Sequence, residues 1–175
     1  MYNNLRRFLA FLFAIAVVYF GVKSEKILYL GVVLIFFGEI IRIWSAGYIR
    51  KNKVLSIVGP YQFIRNPLYI GSLIIGAGFG VFIGNFIILV LIIVVFLLIY
   101  TLKINSEEKK LTEIFGEKYL TYKKNVNRWI PRLSPYENER EKFDIRLSIF
   151  KNKEYNTVLS CLGMIFLILI LRTIK

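Results

Sequence analysis

Few residues of this chain can do chemistry, and they fall in two short polar segments. Residues 59–71 read GPYQFIRNPLYIG and set Tyr61, Arg65, Asn66 and Tyr69 in a proline-punctuated loop between two apolar runs. Lys103, Glu107 and Glu108 follow directly on a later apolar run. A carboxylate at a bilayer surface attracts a cationic or hydroxyl-rich ligand, and an arginine beside it can hold a ligand carboxylate or fix the loop. The plainer alternatives are that the glutamates solvate a helix end and that Arg65 anchors on lipid phosphate. There is no histidine, which excludes imidazole acid–base chemistry and histidine metal ligation. The single cysteine, Cys161, lies inside an apolar run, so no intrachain disulfide forms and the thiol reads as a small core or lipid-facing residue.

The elements that must position these groups are membrane helices. The 175-residue chain is 57% hydrophobic, with a mean hydropathy of +0.59, and reads as one integral membrane domain over 1–175. Its net charge of +13, from 24 basic against 11 acidic residues, is gathered between apolar runs. That is the pattern of topology signals and anionic-lipid contact rather than of nucleic-acid binding. Five runs approach the length of about 20 apolar residues that crosses a bilayer, at about 5–22, 27–49, 67–84, 86–104 and 156–172. The opening MYNNLRR before an apolar stretch imitates a signal peptide, but further apolar runs follow at once, so it reads as a retained first helix. Gly84-Asn85 reads as the tight turn of a helical hairpin.

Arg6, Arg7, Arg50, Lys51, Lys53, Arg65 and most of the 103–153 cations fall on one face. The other face receives Lys23, Lys26, Arg172 and Lys175. The positive-inside rule therefore puts the N-terminus, the 50–66 loop and the 103–153 segment in the cytoplasm and the C-terminus outside. Ser72, Gly76, Gly80 and Gly84 recur every fourth residue, with Gly71 and Gly78 besides, which suits close helix packing or a ligand groove. Glu39 and Arg42, three apart on one helix, are either a mutual salt bridge or functional groups. Leu111, Ile114, Phe115, Tyr119 and Tyr122 have the spacing of an amphipathic helix lying on the membrane, with Trp129 as an interfacial anchor. A second amphipathic stretch, 143–150, leads into the fifth helix.

GPYQFIRNPLYIG, followed after one hairpin by EEKKLTEIFGEKYLTYKKNVNRWIP, resembles the isoprenylcysteine carboxyl methyltransferase family, which is related to the membrane phospholipid methyltransferases. Arg42-Ile43-Trp44 and 53–58 also fit its pattern, so the resemblance covers about 38–131 and leaves 132–175 as an added tail. It implies an all-α membrane enzyme with S-adenosylmethionine as methyl donor. The cofactor would touch Lys53, Val54, Leu55 and Ser56 largely through backbone, then Tyr61, Asn66, Pro67, Leu68, Tyr69 and Glu107. Arg65 and Lys103 would be the catalytic positions, Lys103 facing the acceptor. Asn66 stands where the family frequently has histidine, and Lys103 where it often has arginine.

Methyl transfer is an in-line displacement that asks for alignment more than proton shuttling. A chain without histidine thus leans toward a carboxylate or thiolate acceptor on a lipidic or amphipathic molecule drawn from the membrane. The alternatives are a phospholipid or amine N-methyltransferase, a membrane reductase of similar helical layout, and a non-catalytic scaffold. No metal, nucleic acid or obligate protein partner is expected.

Overall fold

The fold is described from a computed structural model covering residues 2–24, 28–50, 53–137 and 141–174, with 2–10 as backbone. Lys26, Lys51, Lys175 and the side chains of Arg6 and Arg7, used above for orientation, lie outside the described residues. Five helices carry the fold: α1 (Tyr2–Lys23), α2 (Leu30–Ala46), α3 (Pro67–Ile83), α4 (Phe86–Asn125) and α5 (Tyr155–Ile174). A short 3-10 turn spans Gly59–Gln62 and a π-turn spans Leu147–Lys151. No strand occurs among the described residues. Each helix falls on one of the five predicted runs. By length and apolarity α4 and α5 suffice to cross a membrane, while α3 and the 11–23 part of α1 are shorter apolar helices.

Local chemistry sets the boundaries. Pro67 opens α3 at a position whose N–H needs no partner, and Gly84 closes it in the left-handed conformation at φ 70°. Asn85 then caps α4, its side-chain oxygen accepting from the Ile88 amide at 3.2 Å. The predicted hairpin is therefore made by those two residues.

The two faces of α3 pack differently. Gly31 and Gly38 of α2 meet Gly78 and Gly71 of α3 so closely that a Cβ on Gly31 would stand 2.4 Å from the Gly78 carbonyl oxygen. Such contact between antiparallel helices needs hydrogen at those positions. The predicted stripe turns the other way: Gly76 packs on Ile92 and Gly80 on Leu89, both of α4. Around this double seam lies the main core, with Ile35, Phe79, Phe82 and Ile83 buried alongside Val17 of α1 and Ile168 of α5. At one end of the bundle Arg172 of α5 donates to the carbonyls of Gly21 and Ser24 at the end of α1.

Two expectations are corrected and one open alternative is decided. The apolar run 86–104 and the amphipathic segment after it form one helix, broken only at Gly116, whose φ of 52° and ψ of −131° leave the helical region. The apolar face of that segment is mostly buried in the protein: Tyr119 and Tyr122 are buried with Leu55, Ile57, Val58 and Val126 in a second core, with Leu111 and Phe115 packed against it, while Ile114 stays exposed. Glu39 and Arg42 do not form a salt bridge with each other. Arg42 pairs with Glu154 at 2.8 Å, while Glu39 accepts from the Cys161 thiol at 3.3 Å. Cys161 is buried, as its apolar surroundings imply.

The glycine seam is testable. Gly31→Ala should lower stability by about 1–3 kcal/mol through overpacking, whereas Gly163→Ala, with nothing within 4 Å of the added methyl, should be neutral. Thermal unfolding of the two variants in detergent measures the difference.

Candidate functional site

The polar loop is built on the second core. Lys53 and Val54 form a turn, their amides bonding back to the Arg50 carbonyl, and the chain then runs without regular structure through 55–57, Ser56 donating through Oγ to the Tyr48 carbonyl at 2.8 Å. Leu55, Ile57 and Val58 turn inward, while Lys53 and Val54 stay exposed. Gly59 has φ +60°, and a Cβ there would meet the Tyr48 ring at 2.5 Å, so both backbone and space demand glycine. The distal part of α4 and the segment after it clamp the loop from the other side. Tyr122 donates its hydroxyl to the Tyr61 carbonyl at 2.7 Å. The Arg65 amide bonds the Asn127 carbonyl at 3.0 Å, and the Arg132 amide bonds the Phe63 carbonyl at 2.9 Å.

The two predicted polar segments do meet. Tyr69, on the first turn of α3, donates its hydroxyl to Glu107 Oε2 at 2.7 Å. Lys103 Nζ lies 3.3 Å from Glu107 Oε1 and 5.0 Å from the centroid of the Tyr69 ring. Glu107 remains 47% exposed, open to a ligand. Its neighbour is rotated by roughly 100° around the helix and goes inward: Glu108 is 5% exposed and contacts Arg128 at 2.9 Å, Lys123 at 3.0 Å and Arg65 at 3.3 Å. Burial pushes the Glu108 carboxyl up, but Arg128, Lys123 and Arg65 together outweigh it and hold the group below the usual carboxylate value.

Arg65 and Asn66 carry a further signal. Arg65 Nη1 faces Glu108 as an ion pair without hydrogen-bond geometry. Arg65 Nε and Asn66 Nδ2 are buried donors with no acceptor. Two orphaned donors on adjacent residues are costly unless a ligand oxygen completes them. The Tyr61 hydroxyl is pushed well above its ordinary value by burial, then by Tyr122, Glu107 and Glu154 nearby, so it stays a protonated donor. Burial likewise pushes Tyr119 up to about 12.

Tyr69, Lys103 and Glu107 are thus joined through the start of α3 and the middle of α4, with Tyr61 within the field of Glu107 and Asn66 at the cap of α3. Pro67 is buried and Leu68 half-buried on the first turn of α3. Leu55 points into the core, so only its backbone is available to a ligand. Sequence reasoning missed the Glu108 hub with Arg128 and Lys123, and the Arg42–Glu154 pair. The available signal for the first was the adjacent pair Glu107 and Glu108 beside a basic-rich segment, since helix geometry turns the two about 100° apart.

The chain matches the phospholipid methyltransferase family over residues 26–118, more than half its length. It belongs to that family. Among curated relatives it is 32% identical over 118 residues to the cobalt-zinc-cadmium resistance protein CzcN of Cupriavidus metallidurans, covering 66% of this chain and 54% of that protein. It is 33% identical over 81 residues to the protein-S-isoprenylcysteine O-methyltransferase of Schizosaccharomyces pombe, 46% of this chain and 34% of that protein. It is 37% identical over 73 residues to the methanethiol S-methyltransferase of Pseudomonas deceptionensis, 42% of this chain and 27% of that protein. The chain therefore spans about half or less of the curated relatives it matches. No solved structure matches it. The family stretch contains the whole 53–69 loop together with Lys103, Glu107 and Glu108.

Because the Glu108 carboxyl is lowered in the fold, the stability it contributes is complete above the ordinary carboxylate value and is lost as pH falls through the lower folded value. Glu108→Gln should remove that acid-side dependence. At neutral pH it should cost roughly 3 kcal/mol or more, since three cations lose their counter-ion. Unfolding followed from pH 7 down to pH 3 on wild type and variant checks both.

Proposed function

We propose that the protein is an S-adenosylmethionine-dependent membrane methyltransferase acting on a lipidic or amphipathic acceptor with a carboxylate. The observation that carries this is the Tyr69–Glu107–Lys103 bridge, which joins the family loop to the family helix at an exposed carboxylate. Beside it, the orphaned donors of Arg65 and Asn66 fit the carboxylate end of the cofactor, and Glu107 fits its cation. When bound, S-adenosylmethionine supplies an electrophilic methyl group on a sulfonium.

The residues divide as follows. The backbone of Lys53, Val54, Leu55 and Ser56, with Tyr61, Asn66, Pro67, Leu68, Tyr69 and Glu107, holds the cofactor. Arg65 fixes its carboxylate, and Lys103 orients an acceptor carboxylate toward the methyl group. No proton need move in that reaction. Tyr61 and Tyr119 hold their protons well above neutral pH, so neither serves as the base that an amine acceptor requires. That favours an acceptor already ionised over the N-methyltransferase alternative.

An apolar cavity of about 420 Å³ between α1, α3 and α4, lined by Phe13, Val17, Ile75, Ile92, Phe96 and Tyr100 among others, supports a lipidic acceptor. Its polar end leads to the site, because the Tyr100 ring lies 5.1 Å from that of Tyr69. In this reading all five helices cross the membrane, with the 53–69 loop and the 103–108 turn of α4 at its cytoplasmic face.

Calorimetric titration of the protein in nanodiscs with S-adenosylmethionine should give micromolar binding. Glu107→Gln and Tyr61→Ala should each weaken it about tenfold or more. Radiolabelled methyl transfer to a prenylcysteine analogue should exceed transfer to the amine lipids of a host extract. Absence of heat and of thermal stabilisation at millimolar cofactor would reject the assignment in favour of a scaffold.

A further inference from the structure

The segment just before α5 lies beyond the family stretch of 26–118, yet it grips the end of α2 that leads into the cofactor loop. Ser148 Oγ donates to the Ile43 carbonyl at 2.8 Å. Asn152 Nδ2 donates to the carbonyls of Ala46 at 2.8 Å and Ile49 at 3.0 Å. Glu154 Oε2 accepts from Arg42 Nη2 at 2.8 Å and Nε at 3.1 Å. The Phe143 ring packs on Gly47, where a Cβ would approach it to 2.3 Å. Ser148 and Glu154 are buried. Lys153 between them adopts φ 60°, a left-handed conformation that a residue with a side chain holds only when its surroundings impose it.

What these contacts hold is the root of the proposed cofactor loop. Tyr48 follows immediately on Gly47. Its carbonyl accepts from Ser56, and its ring fills the space over Gly59. It therefore braces both ends of the 56–59 stretch. Arg42, fixed by Glu154, also donates to Ser72 on α3. The charges of Arg42 and Glu154 reach the Tyr61 hydroxyl. A main-chain cradle for a ligand works only when held to within about half an ångström; Leu55, Ile57 and Val58 anchor one side of the stretch in the second core, and Tyr48 holds it from the α2 side.

We propose that Ser148, Asn152 and Glu154 are positioning residues: a clasp that sets the end of α2, and through Tyr48 the 53–61 stretch, in the geometry that binds S-adenosylmethionine. This rests on the functional reading above, and the test separates the two. Asn152→Ala and Glu154→Gln are compared, in the full-length protein in nanodiscs, with Ile168→Ala, a core truncation between α1 and α5 distant from the clasp. Amides at 48–61 should exchange about tenfold faster in the clasp variants. The KM for S-adenosylmethionine should rise about tenfold while that for the acceptor stays within about twofold. Ile168→Ala should lower Tm without either effect. Unchanged exchange at 48–61, or equal loosening in Ile168→Ala, would overturn the clasp. If wild type binds no S-adenosylmethionine the functional reading fails, and the exchange comparison still decides the clasp.

Discussion

Glu108 gathers three cations from three stretches of the chain: Arg65 of the loop, Lys123 beyond the α4 break, and Arg128 of the returning segment. In a protein of net charge +13, such convergence is repulsive without an anion at its centre, and in a buried setting the repulsion is poorly screened. The carboxylate makes the arrangement possible but does not neutralise it. Three cations against one anion leave two positive charges in excess. A site with that excess, and with Arg65 Nε and Asn66 Nδ2 lacking acceptors, is poised for a further anionic group. In the function proposed above, the carboxylate of S-adenosylmethionine would answer that need.

Adjacent glutamates thereby acquire opposite tasks from helix geometry alone. Glu108 turns inward and organises the loop, whereas Glu107 turns toward Tyr69 and stays partly in solvent. Their relative placement depends on α4 being one continuous rod from the apolar segment through Phe115. A flexible joint at residue 105 would let the two carboxylates drift with respect to α3. The joint comes instead at Gly116, past both. A Cβ there would meet nothing within 4 Å, so glycine is required by its backbone conformation and not by space. Beyond that bend the chain doubles back, and Tyr119 and Tyr122 pack beneath the loop.

Sequence legibility followed the range of the interactions. Elements fixed by neighbours were readable: Gly84 and Asn85 make their turn, Pro67 starts its helix, and the two polar segments that bracket the hairpin come together as Tyr69 and Glu107. Features set by distant partners were not. Arg42 pairs with Glu154, 112 residues away, and the nearer Glu39 at helical spacing was a misleading substitute. Apolar periodicity at 111–122 announced a buried face without naming what buries it. Lipid and the 55–58 stretch of loop satisfy the same hydrophobic demand, and only the fold distinguishes them. Glycine spacing had the same ambiguity, since Gly76 and Gly80 of α3 serve α4 while Gly71 and Gly78 serve α2.

The absence of histidine bears on the chemistry more than on the fold. The hydroxyls of Tyr61 and Tyr119 are kept protonated chiefly by burial. The exposed carboxylate, Glu107, is already engaged by a tyrosine and a lysine. Such a site is poor at removing protons and good at holding charges in line. For a displacement at a methyl group that is sufficient, because rate comes from aligning an ionised acceptor with the donor and excluding water. An apolar cavity leading from α1 to Tyr100 and a rigid polar rim at Tyr69 supply those two conditions from opposite sides. The same physics explains why a small bundle suffices: the helices need only keep two polar segments in register, and the glycine seams of α3 do so at backbone distance.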